Sequence, residues 1–477
     1  MTPEDDELTD DDEKWVCFHC IEESCLSSQI QMCPSQSCSY CGTFAPAWTL
    51  QAVAEAIFVV LEEHFQQVSG DSPFTREIGD DVVWAIGSTA EISDEALIED
   101  VRELCEEMAT SEMEYYEIPD PGPYSRDSEY IETPIDTYSW SSKWQDFETI
   151  LKEQSRFFNE DARKILEEIF SDIDTLISKT GERVLTQAGP DTDIPELFRA
   201  RNFYDIDELA RALGSPDEDL GPPPSKYASA GRMNAQGISS FYGSDSPAVC
   251  LAEVRPPVGS WVAIASFELI RPINLLNLQL LQNLEHPQGS LFEPCYSNKL
   301  SRFQFLRNLT DLIARPVMPQ DESTDYLTTQ AVADFLSMNG KTNVDGIIFP
   351  SVQSPSEGRN IVLFHKSSLV EKRKLPKGTD IYCQSSSFED DQWVQEFHVF
   401  EELPEQSKDD SPTSMHSVGL FPVHHGFPPD PVETREPTLR VKIEELSVHQ
   451  IKAASFTEQR FDVERTQTTR DKRFGEF

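Results

Sequence analysis

The stretch 226-KYASAGRMNAQGISSFYGSDSPAVCLAEVRPP-257 holds too much glycine, proline and serine for a helix, yet it sets Arg232, Tyr242 and Glu253 ten and eleven residues apart. Turn formers at this density read as a pocket assembled from loops and short elements. Arg232 follows Gly231 in a turn, where a guanidinium can fork onto phosphate oxygens while the glycine lets the backbone approach. Tyr242 stands between a serine-rich turn and Gly243, so its ring can wall a planar group or fill a core. Glu253 is the only carboxylate in an apolar run, and a carboxylate there has to be paired or functional. Arg255, two residues on, is one candidate partner.

Outward from this stretch, short β-like runs alternate with helical patterns. "WVAIASFEL", "INLLNL", "VDGIIFP" and "NIVLFH" are strand-length, and "IDELARAL", "SRFQFLRNLTDLIA" and "TQAVADFLSM" have helical spacing. This mixture predicts an α+β domain over residues 195–370. Upstream, Arg199 and Arg201 in "ELFRARNF" stand where a strand begins, suited to a small dianion or to pairing with surface carboxylates. Downstream, Ser351 follows the proline that ends a hydrophobic run, with Gly358 and Asn360 marking a hairpin. A serine there can hydrogen-bond a substrate or cap a turn. The sequence holds no G-x-S-x-G elbow, P-loop, strand-linked G-x-G-x-x-G or H-E-x-x-H around these residues.

The N-terminal third has a different texture. After an acidic tail (1–14), residues 15–43 place Cys17-x-x-Cys20 and Cys38-x-x-Cys41 seventeen residues apart, the two-knuckle spacing of a four-cysteine zinc site. Gly42 suits the sharp turn after the second pair. Cys25, Cys33 and His19 are alternative ligands, and free or regulatory thiols are the competing reading. Four thiolates leave no open coordination position, so such a zinc is structural. Residues 44–184 read as a mostly helical domain: Leu50, Val53, Ile57, Leu61 and Phe65 form one apolar stripe, and Asn159 caps a second helix that buries Leu166, Ile169, Phe170 and Ile173. "IPDPGPYSRDSEYIETPID" between them predicts a long loop. Residues 371–436 are acidic, polar and proline-containing and predict a loop or linker, while alternation in 437–477 predicts strands that return to a sheet.

Lys and Arg total 39 against 85 Asp and Glu, a formal charge of −46 that disfavours nucleic acid and anionic membranes as partners. The opening lacks an apolar segment, and no window is long and apolar enough to span a bilayer. The expectation is a cytoplasmic protein.

The order of the motifs, from "FRAR" through "AGRMNAQGISSFYG", "LAEVRPPVG" and "DYLTTQAVADFL" to "VDGIIFPSVQSPSEGRNIVLF", resembles the RES domain, a family named for its arginine, glutamate and serine. The resemblance spans roughly residues 195–367, with an insertion between Arg199 and Arg232. It implies an ADP-ribosyltransferase-like fold with a mixed β-sheet, and an NAD-degrading toxin, phosphorolytic or hydrolytic, of the kind often neutralised by a DNA-binding antitoxin. It implies Glu253 as the carboxylate supporting a ribosyl cation, Arg199 and Arg232 on the pyrophosphate or an attacking phosphate, with Arg201 as a lesser candidate. Tyr242 then lies against the nicotinamide end, with Ser351 bonding the nicotinamide side or the acceptor. The N-terminal region resembles the HEPN/RES N-terminal domain, but "RFFNEDARKIL" lacks the R-x-x-x-x-H signature, so RNA cleavage is not expected. NAD as substrate, phosphate as co-substrate, structural zinc and a homo-oligomer complete the expectation. An ADP-ribosyltransferase acting on a macromolecule and an inactive zinc-ribbon interaction protein are the competing classes.

Overall fold

The computed structural model describes residues 13–68, 79–111, 121–315, 317–318, 320–351, 358–389, 392–404, 433–455, 459–463 and 465. The acidic opening through residue 12, residues 405–432 of the expected linker and the C-terminal end from 466 lie outside them. The chain forms two compact units, one of Met1–Val184 with Leu278–Arg315 and one of Leu185–Asn277 with Pro316–Phe477.

The first unit opens with β1 (Trp15–Cys17), α1 (Ser24–Ile30), β2 (Ser35–Ser37) and β3 (Phe44–Thr49), whose strands pair in the order β1-β3-β2. Thr49 caps α2 (Leu50–His64) by accepting from the Ala52 N–H, and the apolar stripe read from the sequence buries Leu50, Val53, Ile57 and Leu61. After β4 (Phe65–Gln67) and β5 (Asp80–Asp81) come α3 (Val82–Ala90) and α4 (Glu95–Thr110), capped by Asp81 and Asp94. The predicted long loop contains a short strand, β6 (Glu129–Glu132), which pairs with both β4 and β5. Helix α5 (Tyr138–Thr149) runs into a π turn, and Asn159 caps α6 (Glu160–Ile169) with bonds from the Asp161 and Ala162 N–H groups at 3.1 and 3.0 Å.

The second unit begins with β7 (Leu185–Ala188), β8 (Glu196–Phe203), α7 (Ile206–Gly214), α8 (Pro216–Asp219), β9 (Phe241–Ser244), α9 (Pro247–Glu253), β10 (Trp261–Leu269) and β11 (Ile273–Asn277). The chain then returns to the first unit for α10 (Leu278–Gln282) and α11 (Tyr296–Ala314). Residues 278–315 of the expected 195–370 domain thus pack with the first unit. Phe305 of α11 packs against Trp140 and Trp144 of α5, and the Arg302 guanidinium donates to the Ile169 carbonyl, so this helix takes both an apolar and a polar partner from the N-terminal region. The second unit resumes with α12 (Glu322–Met338), β12 (Gly346–Pro350), β13 (Arg359–Leu363), β14 (Asp380–Glu389), β15 (Gln392–Glu402) and β16 (Leu439–Gln450).

Its eight-stranded sheet has the order β16-β10-β8-β9-β13-β12-β11-β7 and is mixed, since β11 and β12 pair in parallel and the other neighbours antiparallel. The parallel pair requires a long crossover, which residues 278–345 supply. One face packs Leu197, Phe203, Phe241, Phe267 and Leu363 into the main core, and the other packs Ala200, Val262 and Ile264 beneath Cys250 of α9. Residues 380–389 and 392–402, expected as linker, form the paired strands β14 and β15 instead, with Cys383 and Phe397 packed against the main core. The remaining positions mix serine, glutamine and glutamate with the exposed Tyr382, Phe388, Val394, Val399 and Phe400, so no clean alternation marks these strands. The C-terminal alternation does return as a strand: β16 pairs along the whole of β10, with Leu439 and Val441 buried.

Candidate active site and metal centre

Glu253 is the last residue of α9, a helix that starts at a Ser246 cap with Pro247 in its first turn and lies on the sheet through Cys250, Leu251 and Val254. The β12–β13 hairpin meets its far end. Gly358 sits so close under the helix that a Cβ there would come 2.1 Å from Val249 Cγ2, which is why this hairpin position is glycine. The Gly358 carbonyl accepts from the Ser351 N–H at 2.9 Å and closes the base of the hairpin. Ser351 Oγ then donates to Glu253 Oε1 at 2.6 Å, and Asn360 Nδ2 donates to the same oxygen at 2.8 Å. Two donors on one oxygen fix the carboxylate rotamer. The partners anticipated from the sequence included Arg255; the bonds come from Ser351 and Asn360.

Strand register connects this group to the tyrosine. Asn360 lies opposite Ser244 and Val362 opposite Tyr242, so Asn360 and Tyr242 share a face of the sheet, one two-residue step apart on neighbouring strands. The Tyr242 hydroxyl donates to Asn234 Oδ1 at 2.6 Å and accepts from the Met233 N–H at 3.0 Å. Burial pushes the phenol up to about 12. Asn234, itself buried, donates to the carbonyls of Ser229, Ala235 and Ile238, so the Tyr242–Asn234 bond ties the whole 229–238 loop to the sheet.

Arg232 is on that loop, in a turn closed by Gly231 N–H to Asn234 carbonyl at 3.0 Å. Helix α12 grips the turn from outside: Gln330 Nε2 donates to the Gly231 carbonyl at 2.8 Å and Thr329 Oγ1 to the Arg232 carbonyl. One turn earlier on α12, the Tyr326 ring lies 5.7 Å from the Arg232 guanidinium carbon. Tyr326, Thr329 and Gln330 are spaced i, i+3, i+4 and share a helix face.

The two arginines of β8 are placed differently. Strands β8 and β9 share only the Phe198–Ser244 pair, and Arg199 Nη1 donates to the Tyr242 carbonyl at 2.7 Å. Its guanidinium carbon is 5.5 Å from the Phe241 ring. Desolvation, then the Arg201 charge, lowers Arg199 to about 10, which leaves it charged at neutral pH. Its Nε is buried and has no partner among the described residues, an orphaned donor suited to an incoming acceptor. Arg201 instead donates to the Asp219 carbonyl at the end of α8, with the Asp219 carboxylate 3.9 Å away.

The structure therefore brings Glu253 and Ser351 into direct contact, holds Tyr242 on strand β9 and Arg232 on the loop bonded to its hydroxyl, and turns Arg201 toward α8. Asn360, Asn234 and Tyr326 join them. In the sequence Asn360 reads only as a turn marker, and nothing local to Asn234 or Tyr326 signals its role.

Residues 206–380 match the family model of the RES domain. The chain carries a RES domain. Residues 32–164 match HEPN/RES N-terminal domain 1. Arg232, Tyr242, Glu253 and Ser351 lie within the RES match, and Arg199 and Arg201 lie before it. The RES family is associated with NAD-processing enzymes. No curated protein matches the chain. Among the described residues no helix is long and apolar enough to cross a membrane.

Ahead of the helical region, the sulfur atoms of Cys17, Cys20, Cys38 and Cys41 all lie within 4.8 Å of one another. Four sulfurs around one zinc at about 2.3 Å would stand about 3.8 Å apart. Here Cys17–Cys41, Cys20–Cys38 and Cys17–Cys20 are 3.4, 3.7 and 3.9 Å, so the quartet fits zinc. The knuckle turns are in place, with Cys20 N–H bonded to the Cys17 carbonyl, Gly42 N–H to the Cys38 carbonyl, and Gly42 at φ +70°. Cys33 accepts from Trp48 Nε1 at 2.9 Å and Cys25 from Gln29 Nε2 at 3.3 Å. The His19 ring packs on Phe18, and none of these three belongs to the quartet.

Proposed function

We propose that the RES domain cleaves the nicotinamide–ribose bond of NAD, with inorganic phosphate or water as acceptor. The observation that carries this reading is the Glu253 carboxylate held on one oxygen by Ser351 and Asn360, with Oε2 outside that pair of bonds. As the C1′–N bond breaks, its electron pair goes to the nicotinamide ring nitrogen and quenches the pyridinium charge. Cationic character then develops at the ribose, and a fixed carboxylate stabilises it without reorganising. An acceptor oxygen completes the reaction by bonding C1′; water loses a proton to solvent in that step.

The arginines supply the binding side. The orphaned Nε of Arg199 and the guanidinium of Arg232 beside Tyr326 suit the pyrophosphate, which would relieve the desolvation that Arg199 bears in the free protein. Such an activity would deplete cellular NAD and make the chain a toxin or defence effector. The Cys17, Cys20, Cys38 and Cys41 thiolates would hold one zinc in a closed shell, a structural role that stabilises the first unit.

The test is incubation of the purified chain with NAD, with and without phosphate, followed by separation of the products. Free nicotinamide with ADP-ribose or its 1-phosphate supports the reading and names the acceptor. ADP-ribose recovered only on a macromolecule would replace it with a transferase.

A further inference from the structure

Strand β9 leaves the sheet where the site is built. Its ladder with β13 ends at the Ser244–Asn360 pair, and Asn360 is one of the two residues that bond Glu253. One step further the ladder would pair Asp245 with Arg359, but the chain turns at Ser246 into α9, the helix that carries Glu253. The Asp245 N–H still reaches the Arg359 carbonyl at 3.2 Å. The reciprocal bond goes to a side chain instead: the Arg359 N–H donates to Asp245 Oδ1 at 3.2 Å, and Arg359 Nε donates to Asp245 Oδ2 at 2.8 Å. The carboxylate thus stands in for the backbone carbonyl that a continuing strand would have offered, and it closes the ladder where α9 departs.

These bonds tie the residue before the α9 cap to the residue before Asn360. The flanking ladders are short. Strand β9 has four residues, and its other neighbour, β8, shares only the Phe198–Ser244 pair with it. A one-residue slip of β13 would turn Asn360 to the opposite face of the sheet, away from Glu253. By alternation the Arg359 side chain stands with Ile361 and Leu363, on the face opposite Asn360, so the pair supports the carboxylate from behind. The ion pair is partly exposed, and pairs of this kind add little to global stability. What it contributes is local geometry.

We propose that Asp245 is a positioning residue for the Glu253 carboxylate, acting through Arg359 and the strand register of Asn360. This rests on the reading of the site as one that cleaves NAD, and the experiment separates the two. Asp245→Ala removes both acceptors, whereas Asp245→Asn keeps an oxygen for the Arg359 N–H and loses the one for Nε. Each is compared with wild type in the full chain by steady-state NAD cleavage, thermal melting and the crystallographic Asn360 Nδ2–Glu253 Oε1 distance. Asp245→Ala is also made in an Asn360→Ala background. In Asp245→Ala the distance opens beyond about 3.5 Å and kcat falls roughly 10–100-fold, with KM for NAD and the melting temperature little changed. Asp245→Asn falls between that variant and wild type, and it carries the same comparisons should Asp245→Ala fail to fold. Because Asp245 acts through Asn360, its removal costs no further kcat in the Asn360→Ala background. A wild-type kcat in Asp245→Ala overturns the proposal, as does an equal further loss in the Asn360→Ala background or a lowered kcat with the Asn360–Glu253 bond intact. Wild type that leaves NAD intact overturns the NAD reading alone, and the Asn360–Glu253 distance in Asp245→Ala then decides the positioning role.

Discussion

Alanine at position 358 would put a Cβ 2.1 Å from Val249 Cγ2, where carbon atoms in contact stand about 3.5–4.0 Å apart, so hairpin and helix must separate by roughly 1.5 Å. Gly358 is not in the left-handed region, so the substitution adds no backbone strain and its effect is packing alone. Overpacking of this kind typically costs about 1–3 kcal/mol and should lower the melting temperature. The larger consequence falls on Glu253, one turn beyond Val249 on α9. Its bonds from Ser351 and Asn360 are 2.6 and 2.8 Å, and a displacement of about 1 Å carries both past the hydrogen-bonding limit. A carboxylate misplaced by that amount should lose roughly 100-fold in turnover of NAD. The assay is kcat at saturating NAD alongside thermal melting for Gly358→Ala, Val249→Ala and the pair. Val249→Ala removes the clashing methyl groups, so the double variant should recover most of the activity lost in Gly358→Ala. Wild-type kcat in a Gly358→Ala protein that melts lower would refute the reasoning, as would a well-folded double variant that stays inactive.

Glu253→Gln keeps an acceptor oxygen for Ser351 and Asn360 but removes the charge, so melting should hold while nicotinamide release, followed by chromatography, falls on the order of 10²–10³-fold. Tyr242 has its phenol raised to about 12 from an ordinary value of about 10, so its contribution to stability is complete below pH 10 and lost as pH rises through 12. Denaturant unfolding should therefore weaken more steeply between pH 10 and 12 in wild type than in Tyr242→Phe; parallel slopes would show that Tyr242 carries no such linkage. Native mass spectrometry should find one zinc per chain, lost in Cys38→Ser together with stability of the first unit, and full zinc retention in that variant would remove Cys38 from the ligand set.

Local order explains what the sequence alone could determine. Strand and helix periods repeat within a few residues, so β10, β11, β12, β13, α2 and α6 were legible from "WVAIASFEL" and its counterparts, as were the Asn159 cap and the cysteine quartet, whose ligands come in pairs three residues apart. The same spacing rules placed Arg232 in a turn and Ser351 at a strand end. They misread 380–389 and 392–402, because a two-stranded ribbon that exposes apolar residues such as Tyr382, Val394 and Phe400 among its polar ones lacks the clean period-2 signal of a half-buried strand. They could not show that α11 packs on α5, since a helix's period says which face is apolar and not what covers it.

Only the tertiary structure decided the surroundings of the carboxylate. Glu253 offered the sequence one nearby partner, Arg255, but its donors are Ser351 and Asn360, 98 and 107 residues away, delivered by a hairpin that packs under α9 through a glycine. Tyr242 likewise reads locally as a pocket wall, while in the fold its hydroxyl is committed to Asn234 and the loop that carries Arg232. Residue type and short-range spacing encode backbone conformation; which distant donor satisfies a half-buried charge is set by strand order and register, and those exist only once the sheet has formed.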